Sequence, residues 1–108
     1  PVYYYNMTAQ MKAFVDRNYF LYTHDLTLAA KVGGIIIVAG GDGIAQTDRA
    51  LRRFLAFYIG NDHITTVSAL ASRLGDMKGN TAAIEAAREL GRQMASTLIQ
   101  ASGKTFKK

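Results

Sequence analysis

Four consecutive β-branched residues, Ile35-Ile36-Ile37-Val38, stand without a polar residue between them. That pattern belongs to a strand of a parallel sheet buried on both faces, and such a strand needs helices above and below it. The rest of the chain supplies helices at the right places. Met7, Met11, Phe14 and Val15 recur at helical spacing, with Asn6 or Thr8 placed as N-cap, which predicts a helix running to about Arg17. Ala50, Leu51, Phe54, Leu55 and Tyr58 form a second stripe, with Arg49, Arg52 and Arg53 on its wetter side and Gly60 as the stop. Asn80 caps a third helix whose buried side is Ile84, Ala87, Leu90, Met94 and Leu98. Glu85 with Arg88 and Glu89 with Arg92 dress its outer side with weak ion pairs. His63 to Leu70, rich in Ile, Thr and Val, reads as a second strand, and residues 18–30 as a long connection.

The order helix, strand, helix, strand, helix is the alternation of an α/β fold with a parallel sheet. Two strands offer one ladder and leave two edges open, too little to cover three amphipathic helices. The composition is nonetheless that of a globular domain: 108 residues, 49% hydrophobic, one proline. With Pro1 opening directly on a loop, the expectation is the C-terminal half of a larger sheet, exchange of elements between copies being the other way to complete it.

Ligands of open α/β sheets bind outside the carboxyl ends of the strands. Two segments fall there. Pro1 to Met7 carries Tyr3, Tyr4 and Tyr5, which bring flat faces and hydroxyls, and Gly40-Gly41-Asp42-Gly43 directly follows the apolar strand. By composition alone, adjacent tyrosines are more often loop packing, and Gly-Gly-Asp-Gly is more often a tight turn than a phosphate cradle; it does not match GxxxxGK[ST]. Their position at strand ends on one edge is what favours a site.

The segment PVYYYNMTAQMKAFVDR, Pro1 to Arg17, resembles the flavin-loop-to-helix segment of the NAD(P)H-dependent FMN reductases and iron-sulfur flavoproteins, a flavodoxin-like group. Lys31-Val32-Gly33-Gly34 before the strand, Gly40-Gly41 after it and Ala86 to Arg92 in the last helix match in order. The resemblance implies a parallel sheet with helices on both faces, of which this chain supplies the last two strands and three helices. Residues 1–101 would be the C-terminal half of one flavodoxin-like domain, and 102–108 a basic tail. It implies FMN as cofactor, its ring loop falling on Val2, Tyr3, Tyr4, Tyr5, Asn6 and Met7 and a second ring-contacting loop on Ala39, Gly40, Gly41, Asp42 and Gly43. NAD(P)H would be the substrate that delivers hydride, and a quinone, flavin or other acceptor would take the electrons. A 4Fe–4S cluster, if present, and the phosphate-binding loop would lie before Pro1. Related quinone reductases carry a histidine near the end of the fourth helix. Tyr58 and Ile59 stand there instead, and His63 receives no catalytic role.

The cofactor carries the redox chemistry in this reading, so no catalytic side chain is assigned. Two rivals remain. One is an iron-sulfur flavoprotein acting as an electron carrier; the other is a non-catalytic α/β interaction module that meets nucleic acid through its net charge of +5. The basic residues are dispersed, and Lys104, Lys107 and Lys108 sit in the tail, so nucleic acid is the disfavoured partner. The chain has no cysteine, and its two histidines have no second ligand at metal spacing. Its apolar run is far below the ~20 residues that span a bilayer. A cytoplasmic flavoprotein, homo-oligomeric as a dimer or tetramer, is the resulting expectation.

Overall fold

The computed structural model describes residues 1–103; the lysines of the basic tail lie outside the described residues. A two-residue antiparallel hairpin opens the chain, β1 (Val2–Tyr3) paired with β2 (Asn6–Met7). Helices α1 (Ala9–Arg17) and α2 (Tyr19–Thr23) follow, then β3 (Gly33–Ala39), α3 (Ile44–Leu55), β4 (Ile64–Leu70), the one-turn α4 (Asp76–Gly79) and α5 (Thr81–Ala101). β3 and β4 pair in parallel, Gly33 opposite Ile64 through Ala39 opposite Leu70. The flavodoxin-like α/β class is thus met in part of its sheet, with α1 and α3 on one face and α5 on the other.

The caps explain the helix limits. Thr8, not Asn6, closes the start of α1: its hydroxyl accepts from the Met11 N–H at 3.2 Å, while Asn6 Oδ1 accepts from the Met7 N–H at 2.8 Å. Asn80 Oδ1 accepts from the Ala83 N–H at 3.0 Å at the head of α5. Helix α3 ends at Leu55, several residues before Gly60, which is extended and stops nothing. Tyr58 therefore lies past the helix; its hydroxyl donates to Asn18 O at 3.4 Å and ties the α1–α2 junction to the α3 exit.

The core sits between the sheet and α3, where Ile35, Ile37, Leu51, Ile59 and Ile64 are buried together, with Met7, Met11 and Val15 against them. Three expectations need correction here. Ile36 is 62% exposed, because α5 crosses the other face of β3 at Gly34 and leaves Ile36 uncovered, while Val38 on that face is half-buried. Phe14 is exposed on α1 and meets Phe54 edge to face at 6.1 Å. Leu98 is 44% exposed, and over the last turns of α5 the half-buried residues are Met94, Thr97 and Ile99.

Gly33 and Gly34 belong to the strand and do not merely precede it. A Cβ on Gly34 would stand 2.6 Å from Met94 Sδ and 3.3 Å from Leu90 Cδ2, and one on Gly33 would meet Ile59 and Leu55 at 3.1 and 3.2 Å. The pair lets helical side chains press onto the backbone from both faces. On the outer side of α5, Glu85 and Glu89 both pair with Arg92, at 2.9 and 3.2 Å, in addition to the Glu85–Arg88 pair at 3.6 Å. Arg92 holds the Glu85 carboxyl below its usual range.

Arg52 is half-buried and is not a free surface cation. Its guanidinium donates to Ile64 O at 2.8 Å and to Thr66 Oγ1 at 2.7 Å, pairs with Asp48 at 3.6 Å, and Thr66 in turn bonds the Asp48 carboxylate. Ala71 N–H donates to Ala39 O, so the odd residues of β4 face β3 and Ile64 and Thr66 turn their backbone outward. Arg52 thus caps the outer edge of β4 at its first residue, Ile64.

Replacing Gly34 with Val should cost about 1–3 kcal/mol in urea unfolding, by forcing Met94 and Leu90 away. The double variant Gly34→Val with Met94→Ala should recover part of it; equal losses in single and double variants would show that Met94 is not the obstacle.

Candidate functional site

Parallel strands deliver their C-terminal ends to one edge, and the loops after β3 and β4 meet there. Ala39 O accepts from Ala71 N–H at 2.8 Å, joining the two exits. The loop beyond β4 is shaped by Asp76, whose Oδ2 accepts from the Ser72 and Arg73 N–H groups at 3.0 and 2.9 Å. Sequence reading placed Asp76 in a loop without seeing this role.

The hairpin at the start of the chain also reaches this edge. Tyr4 and Tyr5, its two turn residues, both have positive φ, 48° and 67°. A two-residue turn of this handedness matches the twist of its strands, and Asn-Gly is its usual sequence, since positive φ strains a side chain with a Cβ. Two tyrosines gave no such signal, so the segment read as an open loop. Strain of about 1–2 kcal/mol per residue is carried to present these rings, Tyr4 being 97% exposed and Tyr3 and Tyr5 more than half exposed.

Gly43 locks the hairpin to the β3–α3 loop. At φ +110° it is left-handed, and a Cβ there would lie 2.7 Å from both Tyr5 Cα and Val2 Cγ1. The second glycine of the loop differs: around Gly41 nothing comes within 4 Å of a Cβ position, so its backbone is open to an approaching molecule. Between them lies a cleft of about 320 Å³ lined by Tyr5, Gly41, Asp42, Gly43, Ile44, Ala45 and Gln46. Its floor is the head of α3. The first intrahelical bond there runs from Thr47 N–H to Gly43 O, and Gly43, as N-cap, has no side chain to cap the earlier amides. The cleft therefore offers backbone donors and the positive end of a helix beside a flat aromatic wall.

Of the candidate residues, Tyr5, Gly41, Asp42 and Gly43 line this cleft, and Val2 touches Gly43 from the hairpin. Tyr3 and Tyr4 stand exposed on the hairpin, Ala39 is buried at the strand end, and a Cβ on Gly40 would lie 3.8 Å from Ala71 O. Met7 packs inward on the core, and Asn6 bonds the Met7 amide. Ile44, Ala45 and Gln46 are lining residues that the sequence reading missed; the end of the glycine run at Gly43 marked where the helix begins.

Elsewhere the polar candidates have structural partners. His24 stacks on Phe20 at 4.1 Å with Nδ1 within 2.9 Å of Phe20 O, and Asp16 pairs with Lys12. Arg52 is committed to β4, which leaves Arg49 and Arg53 exposed on α3 without it. No group of three His, Asp or Glu gathers as a metal set among the described residues, and no described helix is long and apolar enough to cross a membrane.

Residues 1–75 match the family model described as NADPH-dependent FMN reductase. A protein named iron-sulfur flavoprotein, from Archaeoglobus fulgidus, is 56% identical over 43 residues, which cover 40% of this chain and 19% of that protein. No solved structure matches the chain significantly.

Gly43→Ala should destabilise the chain by about 2 kcal/mol or more and loosen the hairpin, read by urea unfolding and by faster amide exchange at Val2–Met7. Conversely, Tyr4→Asn with Tyr5→Gly should raise stability by about 1 kcal/mol, because those residues accept positive φ. Unchanged or lowered stability in that variant would mean that the tyrosine turn is not strained.

Proposed function

The chain belongs to the NADPH-dependent FMN reductase family, and on that premise we propose that its tyrosine hairpin and Gly40–Gly43 loop form the ring-facing wall of an FMN site. The full protein would pass electrons from NAD(P)H to a quinone, flavin or other acceptor. The observation that carries the reading is Gly43, the residue at which hairpin and loop are fitted together with no room for a Cβ.

The residues suit the group. FMN has a flat, largely apolar ring with a polar rim, and the cleft sets aromatic faces beside backbone donors at a helix head. Bound there, the flavin would supply the redox chemistry. Gly41 would let the main chain come close to the ring edge, and the α3 amides would favour negative charge developing on it. The exposed tyrosines would limit what can stack on the open side. Asp42 at the rim would oppose anionic groups.

Residues 1–101 as half of a flavodoxin-like domain belong to the same proposal. Three features support it: β3 has no partner on its second edge among the described residues, Ile36 is exposed, and the buried Thr47 hydroxyl beside that edge has no hydrogen-bond partner. The relative's name favours a second reading, an iron-sulfur flavoprotein working as an electron carrier. With no cysteine in this chain, a 4Fe–4S cluster would be held by residues outside it. The cytoplasm is the setting proposed for either reading.

Amide spectra of the 15N-labelled chain titrated with FMN should shift at Tyr3–Met7 and Gly40–Gln46, with weak affinity because a ring wall alone contributes only part of the binding. Tyr4→Asn with Tyr5→Gly should abolish those shifts while raising stability. Shifts confined to other surfaces, or none at millimolar FMN, would defeat the assignment. In the full flavin-loaded protein, bleaching of the visible flavin band by NADPH supports the reductase, and bleaching by dithionite alone supports the carrier.

A further inference from the structure

Two cations on α3 have no structural partner. Arg49 and Arg53 are exposed, and among the described residues neither enters an ion pair. The carboxylate beside them in sequence, Asp48, is taken by Arg52 and Thr66 on the β4 side of the helix. No acidic residue stands three or four positions from either arginine, where a helical ion pair would need one. Arg49 and Arg53 are instead four apart from each other, a spacing at which like charges repel, so the pair adds nothing to the helix that carries it.

We propose that these two arginines hold the phosphates of the nicotinamide nucleotide that delivers hydride at the glycine-loop cleft; the inference rests on the flavin reading and deepens it. Placement is the first argument. Ala45 and Gln46 line the cleft, and Arg49 follows them on α3 by one helical turn, about 6 Å along the axis. Helical side chains lean toward the N-terminus, so Arg49 covers the Ala45–Gln46 turn and Arg53 the turn of Arg49. The exposed face of α3 is therefore a basic track that starts at the cleft.

The order of charge is the second argument. Asp42 sets a carboxylate on the cleft, and the arginines set two positive charges along the helix that leads from it. A nicotinamide nucleotide has the opposite sign at each end: its ring is cationic in the oxidised form, and its tail carries phosphates. Head and tail each meet a complementary charge, which fixes the direction in which the molecule lies. A quinone has no such tail and gains nothing from the track. Arginine also suits phosphate, since its planar fork offers two N–H groups to two oxygens. Arg52 shows that fork in use, on Ile64 O and Thr66 Oγ1; Arg49 and Arg53 keep theirs for solvent or a ligand.

The test is calorimetric binding of NADP+, which has no hydride to give, to the full protein with FMN bound and again without it. Arg49→Gln should raise the dissociation constant roughly 10-fold, the scale of one charge-assisted hydrogen bond, and Arg53→Gln should do likewise. Arg17→Gln, the same loss of charge at the end of α1, should leave it unchanged. Added salt should weaken wild-type binding more steeply than binding by the double variant. Urea midpoints should match the wild type, because both side chains are exposed. A dissociation constant that ignores both substitutions overturns the proposal, as does an equal loss in Arg17→Gln, which would reflect net charge alone. Loss of FMN rather than of NADP+ overturns it too, the anion on α3 then being the flavin's own phosphate. The flavin reading fails by a different sign, the absence of FMN shifts at Tyr3–Met7.

Discussion

The parallel pairing of β3 with β4 is the constraint from which the other features follow. A parallel pair cannot be closed by a tight turn, so α3 must carry the chain back along one face before β4 begins. That crossover buries Leu51 against Ile35 and Ile37 and sends both strand exits to the same edge. The glycine loop, the Asp76-shaped loop and the hairpin gather there because of strand direction.

Much of this could be read from the residues. The Ile35–Val38 run, the stripes of α3 and α5 and the Thr8 and Asn80 caps all rest on local patterns, and local patterns are what a single sequence displays. The features that escaped are contacts between distant segments. Gly33 and Gly34 look like a lead-in until Met94 and Leu55 are seen pressing on them. The hairpin was hidden because its turn is built from tyrosines, against the preference for Asn-Gly, and only the packing of Gly43 beneath Tyr5 explains how it is held.

The arginines show the same limit from another side. On a helical wheel Arg49, Arg52 and Arg53 form a single basic patch, yet Arg52 is drawn into a chain of hydrogen bonds with Asp48, Thr66 and Ile64. Burial of a long side chain along apolar surface with its fork on a carbonyl is open to arginine and leaves no mark in composition. The candidate cleft was found more readily, since glycine runs after an apolar strand have a fixed place in open α/β sheets.

The Arg52 clamp also gives the sheet a direction of growth. One rim of the ladder is stoppered, because the carbonyl that an incoming strand would need at Ile64 already accepts from a guanidinium. The opposite rim, along β3, has no such plug among the described residues and is flanked by the Thr47 hydroxyl, which has no hydrogen-bond partner among them. A further strand at β4 would have to displace Arg52 from the Ile64 carbonyl, whereas at β3 it would meet no guanidinium.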